Sequence, residues 1–189
     1  MTVNTAYFFD RVRRSVFGGK LTPKQVEGIN NVLAYRAAKW PKMSDQELAY
    51  VLATITHETA FTMQPITEMG SQAYLKAKPY YPWIGRGLVQ ITWRNNYLKF
   101  GLSDPTKALE WPTALDITFR GMILGMFTGK KLADYITPTK YDYVGARRII
   151  NGTDRAKLVA HYARAFRDAL QQANAPPPAS ALPAPKGAV

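Results

Sequence analysis

Residues 44–59 read SDQELAYVLATITHET, and this stretch decides the fold class. Ser44 and Glu47 stand three residues apart in the pattern of a capping box, in which each side chain bonds the other residue's backbone N–H. The apolar residues that follow recur at helical spacing: Leu48, Val51, Leu52 and Ile55. The stretch therefore predicts an α-helix over residues 45–59.

Glu58 lies near the end of this predicted helix and shares its apolar stripe. Residues three, seven and ten positions before it are Ile55, Val51 and Leu48. A carboxyl group there loses hydration, which raises its pKa and favours the protonated form that a general acid needs. The alternative is a helix-end glutamate whose stem packs while its carboxylate stays in water.

Glu68 follows ten residues later, in a segment that breaks the helical pattern. Residues 61–82 carry four helix-breaking residues, Pro65, Gly70, Pro79 and Pro82, and several aromatic ones. A loop carboxylate is hydrated and ionised, so Glu68 suits a base that activates water, as in glycoside hydrolysis. The alternative is a plain surface residue. The aromatic residues Tyr74, Tyr80, Tyr81 and Trp83 could stack on sugar rings or fill the core.

A polar cluster accompanies the apolar run at residues 88–92, which could be a short strand or the start of a helix. Its members, Gln90, Thr92, Asn95 and Asn96, could orient a water or hold the hydroxyl and acetamido groups of a sugar, although helix starts commonly carry such residues. Asn151 is either a helix-terminal turn residue or a substrate contact. His57 is interpreted as structural, with tuning of Glu58 as the alternative, and His161 as packed or exposed.

The rest of the chain predicts a single, mainly α domain over residues 1–173. Thr22 and Pro23 begin one helix, which Trp40 and Pro41 end. Further helices are predicted near residues 93–100, 112–128, 141–150 and 153–172. Five of the thirteen prolines lie in the last sixteen residues, so residues 174–189 are predicted to form a flexible Pro/Ala-rich tail.

Composition excludes several classes of protein. The formal net charge of +12 favours a polyanionic partner such as nucleic acid, an anionic membrane or a bacterial cell wall. Without cysteine and with two histidines, the chain has too few ligands for an ordinary zinc site. The longest apolar run, residues 121–128, is too short for a membrane span, and the first residues lack the apolar block of a secretory signal. We therefore expect a chain made and folded in the cytosol.

Five segments together resemble the family 19 glycoside hydrolases, which include plant-type chitinases and the endolysins of phages that infect Gram-negative bacteria. They are ITHET at residues 55–59, TEMG at 67–70, Tyr81, GRGLVQITWRNNY at 85–97 and RIING at 148–152. The resemblance spans residues 44–167. It implies a lysozyme-like, mostly helical fold with two lobes around a substrate cleft, at most a small irregular or β element, and hydrolysis with inversion.

The resemblance also implies roles for individual residues. Glu58 would be the general acid and Glu68 the general base, while Thr92 replaces a frequent serine and would help to hold the catalytic water. The substrate-binding residues predicted from the matching segments are Gln90, Asn96, Asn151, Tyr81 and Arg86.

Two features depart from the plant enzymes: the stretch around the glutamates is more compact, and the cysteines are missing. The arginine that those enzymes use near their C-terminal helix is left open among Arg155, Arg164 and Arg167.

The function expected from the sequence is an endolysin-type lysozyme that cleaves β-1,4 bonds of peptidoglycan without a metal or cofactor. The alternatives are a chitinase, a lytic transglycosylase, and a non-catalytic cationic binder of cell wall or nucleic acid. We expect a monomer that binds peptidoglycan, contacts the anionic outer membrane electrostatically and recognises no specific nucleic acid. It would accumulate in the host cytoplasm and reach the periplasm through a membrane pore.

Overall fold

A computed structural model describes residues 5–174, and within them the fold is mainly α, as predicted. The α-helices are α1 (Thr5–Ser15), α2 (Pro23–Lys39), α3 (Asp45–Glu58), α4 (Gln72–Lys76), α5 (Arg94–Lys99), α6 (Trp111–Leu124) and α7 (Ala156–Asn174). Short 3₁₀ helices cover Pro105–Leu109, Leu132–Asp134 and Gly145–Ile149. Two short strands, β1 (Ile66–Thr67) and β2 (Arg86–Gly87), pair antiparallel. In this part of the chain no helix has both the length and the apolarity needed to cross a bilayer.

Helix α3 forms the centre of the molecule. The predicted capping box is present, because the Ser44 hydroxyl accepts from the backbone N–H of Glu47 and the Glu47 carboxylate accepts from that of Ser44. The helix ends at Glu58, with Thr59 as its C-cap. Every residue from 48 to 56 is buried, not one stripe alone. A helix that is apolar on all sides needs partners on all sides, and α3 packs mainly against α7, with α2 and α6 also in contact.

Helix α2 confirms the prediction that it begins after Thr22 and ends before Pro41. Thr22 and Gln25 form a reciprocal capping box, and Pro23 occupies the first helical turn. The backbone N–H of Trp40 closes the last turn by donating to the Arg36 carbonyl.

The buried apolar side chains form two clusters of unequal size. The larger contains much of α3, α6 and α7 together with residues of α1 and α2. The smaller consists of Val89, Ile91, Tyr97, Ala108 and Ile117. Phe127 and Ile150 pack against both clusters, so the two meet along these side chains.

The run at residues 88–92 is neither a strand nor the start of a helix. β2 ends at Gly87, residues 88–90 form a tight turn, and Ile91 returns to pair with Arg86. β1 pairs with the other edge of β2, with Ile66 opposite Gly87 and Thr67 opposite Arg86. Leu88 enters the larger cluster, whereas Val89 and Ile91 enter the smaller one.

Other boundaries differ from the predictions. The helix expected over residues 141–150 is only the 3₁₀ segment Gly145–Ile149, and the last helix begins at Ala156 instead of residue 153. Helix α6 ends at Leu124 because Gly125 takes a left-handed conformation, with φ of 72°. Asn174, placed in the predicted tail, is the last residue of α7, and residues 175–189 of that tail lie outside the described residues.

Candidate active site

A polar cavity of about 310 Å³ lies where the two apolar clusters meet. Its lining consists of Glu58, Val89, Gln90, Ile91, Thr92, Trp93, Asn96, Phe127, Ile150 and Asn151. Five of the predicted site residues therefore come together here: Glu58, Gln90, Thr92, Asn96 and Asn151. Two larger grooves, of about 450 and 510 Å³, contain neither Glu58 nor Glu68. The chemistry of the lining, and not the cavity size, identifies the candidate site.

Glu58 forms an ion pair with a buried arginine. Arg147 Nη1 donates to Glu58 Oε1 over 2.6 Å, and the exposed fractions of the two side chains are 2% and 16%. Helix α3 places Glu58 at its end, where the buried helix reaches the cavity wall, and Arg147 comes from the segment Gly145–Ile149. The apolar stripe that distinguishes Glu58 in the sequence gives no indication of a cation beside it.

Arg147 was missed at the sequence level. The three candidates for an arginine near the C-terminal helix lie elsewhere: Arg155 and Arg164 are exposed, and Arg167 pairs with Asp168. Arg147 instead also donates through Nε to the Asp154 carbonyl over 2.8 Å. The ion pair joins residues that are 89 positions apart. The nearest sequence feature that could have indicated Arg147 is the RIING segment, which begins at the next residue.

A strained turn presents Gln90 and Thr92 to the cavity. Gln90 and Trp93 both have positive φ, 52° and 72°, a region that costs most side chains free energy. The Gln90 amide stabilises this turn by donating to the carbonyls of Ile66 and Gly87 over 3.0 and 3.1 Å. Strained backbone of this kind concentrates at functional sites.

Thr92 and Asn96 extend the same polar wall. The Thr92 hydroxyl donates to the Gln90 carbonyl over 2.9 Å, so its lone pairs are left to accept from a ligand. The Asn96 amide donates to the Thr92 carbonyl over 2.8 Å. Asn151, on the opposite segment, follows the last 3₁₀ turn and is exposed at the cavity rim.

Glu68 is held beside this cavity. Its Oε2 accepts from the Gly85 N–H over 3.0 Å and its Oε1 from the Tyr80 hydroxyl over 3.2 Å. A Cβ on Gly85 would lie 3.0 Å from Gln90 Oε1 and 3.4 Å from Glu68 Oε2, so the Glu68 carboxylate and a cavity-lining side chain lie beside the same point at Gly85. The Tyr80 ring also packs on Trp93, at 5.1 Å between centroids. Desolvation and then the Glu68 charge raise the pKa of Tyr80, which keeps its hydroxyl protonated as a donor.

Tyr81 and Arg86 are not part of the cavity lining. Arg86 is buried, and its guanidinium donates to the carbonyls of Pro82 and Ile84 over 2.8 and 3.4 Å. Its observed contacts therefore fix the loop that carries Gly85. Tyr81 is 44% exposed in the neighbouring segment.

The remaining candidate residues do not line the cavity. Burial lowers the pKa of His57, while Glu58 acts in the opposite direction, so the neutral imidazole is favoured. His161 is exposed on α7. Trp83 packs edge-on against Tyr97, and Tyr74 is exposed.

Within residues 5–174 no three His, Asp or Glu side chains are grouped closely enough to hold a metal ion.

Comparison of the chain with protein-family profiles, curated proteins and solved structures found no match.

Proposed function

We propose that this protein is an endolysin-type glycoside hydrolase that cleaves β-1,4 bonds of bacterial peptidoglycan with inversion. The observation that carries the proposal is the pairing of Glu58 with buried Arg147 at the wall of an amide-lined cavity. A second carboxylate, Glu68, is held beside that cavity by two hydrogen bonds. Inverting hydrolysis needs two carboxyl groups in separate roles, with room for a water between them.

In this mechanism Glu58 protonates the departing glycosidic oxygen. Arg147 engages Oε1, while Oε2 has no hydrogen-bond partner among the described residues and is left to carry and deliver the proton. After the transfer, the guanidinium stabilises the carboxylate that remains. Arg147 therefore orients the acid through Oε1 and leaves Oε2 free for the proton.

Glu68 would act as the base on the opposite side of the sugar. Its two hydrogen bonds fix the carboxylate, and each oxygen keeps further lone-pair capacity for a water. Thr92 would accept from the same water, since its own proton is donated to the Gln90 carbonyl. The amides of Asn96 and Asn151 face the space where hydroxyl and acetamido groups of the sugar would lie.

We also propose that the two apolar clusters correspond to two lobes and that the cavity is part of the substrate cleft between them. Glu58 comes from the larger cluster's central helix, whereas Val89 and Ile91 belong to the smaller cluster. A glycan strand lying across this boundary would meet both carboxylates.

The formal net charge of +12 supports adsorption to an anionic cell wall and contact with an anionic outer membrane. In the proposed setting the enzyme accumulates in the host cytoplasm and reaches the periplasm through a membrane pore. It would act there as a monomer, without a cofactor.

The direct test is release of soluble fragments from purified peptidoglycan by the wild type and by Glu58→Gln and Glu68→Gln. Both substitutions keep the side-chain volume and remove the acid–base group, so we expect each to lose activity by at least about a hundredfold. Glu27→Gln, at an exposed position of α2, is the matched control and should retain activity. Undiminished release by Glu58→Gln would overturn the proposal, and cleavage of chitin oligomers without cleavage of peptidoglycan would establish a chitinase instead.

A further inference from the structure

A second groove, of about 510 Å³, lies between the 3₁₀ segment Gly145–Ile149 and the start of α7. Three cationic side chains line it: Arg148, Arg155 and Lys157. Its apolar lining comes from Val144, Ala156 and Leu158, of which the first and last are exposed. The groove thus combines apolar surface with positive charge, and no acidic side chain of residues 5–174 belongs to its lining.

The three cations have no anionic partner in the described part of the chain. None of them belongs to an ion pair within residues 5–174, and all three are exposed. By contrast, Arg147, next to Arg148 in the sequence, points inward and is paired. Three unpaired cations around one concave surface attract anions more strongly than the same charges dispersed over the surface.

The groove adjoins the candidate active site. Arg147 joins the two directly, because Nη1 donates to Glu58 at the cavity and Nε donates to the carbonyl of Asp154. Asp154 stands between Thr153 and Arg155, which both line the groove. Asn151 lines the cavity two residues before Thr153, so the two linings are at most about 7 Å apart along the backbone.

We propose that this groove binds the acidic stem peptide of peptidoglycan while the neighbouring cavity holds the glycan strand. The inference rests on the proposed function. Stem peptides branch from alternate sugars and carry several carboxylates and alanine methyl groups, which complement the three cations and the apolar lining respectively. Chitin has neither group. The groove, and not the amide-lined cavity, would therefore distinguish peptidoglycan from chitin.

The test compares intact peptidoglycan with the same glycan strands after an amidase has removed the peptides. The variant is the triple substitution Arg148→Ala, Arg155→Ala and Lys157→Ala. Wild type should have the higher kcat/KM on the intact material, and the triple variant should lower the intact-to-stripped ratio about tenfold, as expected for three exposed charge pairs. The control, Lys39→Ala with Lys42→Ala, removes two cations from the groove of about 450 Å³ before α3, whose lining also contains Glu47, and should keep the wild-type ratio.

A wild-type ratio in the folded triple variant would overturn the proposal, as would an equal fall in the control. Loss of anionic-vesicle binding with an unchanged ratio would assign the groove to membrane contact and also overturn it. Failure of wild type to cleave either material would refute the proposed function instead. If the triple variant does not fold, titration of wild type with soluble stem tripeptide should shift the backbone amide signals of Ala156 and Leu158. The carboxamide form of that peptide should not shift them, and no shift with the free acid would refute the proposal.

Discussion

Arg147 and Glu58 form the least exposed ion pair within residues 5–174. Removing one partner of a buried pair leaves the other charge without compensation, which typically costs about 3–5 kcal/mol. We expect Arg147→Met to lower the free energy of unfolding by about 3 kcal/mol, measured by urea denaturation. Arg120→Met is the control, because its pair with Asp116 is about 40% exposed, and it should cost less than about 1 kcal/mol. Equal losses in the two variants would contradict the assigned environment of Arg147.

Replacement by valine should change the stability of the protein differently at two buried threonines, one in α3 and one directly after it. Thr59 Oγ1 donates to the Ile55 carbonyl and accepts from the Met63 N–H, so Thr59→Val leaves a buried donor unpaired and should cost about 1–3 kcal/mol. Thr54 Oγ1 lies near the Tyr50 hydroxyl, but neither group has a hydrogen-bond partner within residues 5–174. Thr54→Val should therefore be neutral or stabilising by about 1 kcal/mol. Calorimetric unfolding of both variants measures the difference, and a larger loss for Thr54→Val would be the opposite of this expectation.

His57 should make stability depend on pH near neutrality. Burial lowers its pKa below the ordinary value of 6.5, so the unfolded chain binds the proton more tightly than the folded protein does. The contribution is fully favourable above about pH 6.5 and is lost as the pH falls through the lowered pKa. The charges that surround the ring are Glu58, Arg147, Asp154 and Arg155. We expect His57→Gln to flatten the fall in Tm between about pH 7.5 and pH 5.5, with His161→Gln as the control; a stronger fall in His57→Gln would reverse the sign assigned here.

At the residue scale, the sequence predicted residues that line the cavity better than it predicted the side chains that pair with them. Gln90, Thr92 and Asn96 lie within seven positions of one another, so local patterning brings them together. Arg147 meets Glu58 only through the packing of distant segments, which a local pattern does not encode. Burial of Arg86 likewise depends on the carbonyls of the folded loop around it.

At the scale of the elements, Gly28 determines how α2 packs against the loop after α3. A Cβ at this position would lie 1.9 Å from the Met63 carbonyl oxygen, and a backbone atom cannot move away by changing rotamer. We expect Gly28→Ala to lose about 1–3 kcal/mol of stability, although alanine is the better helix former by about 1 kcal/mol. Asn30→Ala, at an exposed position of the same helix, should be neutral or slightly stabilising in the same denaturation experiment. A stabilising effect of Gly28→Ala would contradict the close approach.

The elements that could be predicted are those with local start and stop signals. Both capping boxes and the proline after Trp40 specify where α2 and α3 begin or end. The apolar run at residues 88–92 has no such signal. Its conformation is a turn that depends on the pairing of β2 with β1 and of Arg86 with Ile91. Helical periodicity near residues 141–150 was misleading for a related reason: Ala146, Arg147 and Ile149 are buried by tertiary contacts within a 3₁₀ segment.

At the scale of the whole molecule, the position of the site depends on where two apolar clusters meet. Phe127 and Ile150 contact both clusters and also line the cavity. The mainly α class followed from the sequence, since periodic apolar residues cover most of residues 5–174. The cavity could not be located in this way, because it is formed by segments that are distant in sequence and by charges that only folding brings together.

The central claim is that Glu58 and Glu68 act as separate acid and base on one glycosidic bond. Time-resolved NMR of the products released by wild type from peptidoglycan strands tests this most directly. Inversion at a β-1,4 bond predicts that the new reducing end first appears as the α-anomer, before mutarotation. A β-anomer formed first, or an anhydro-sugar end formed without water, would contradict the assignment of Glu68 as the base.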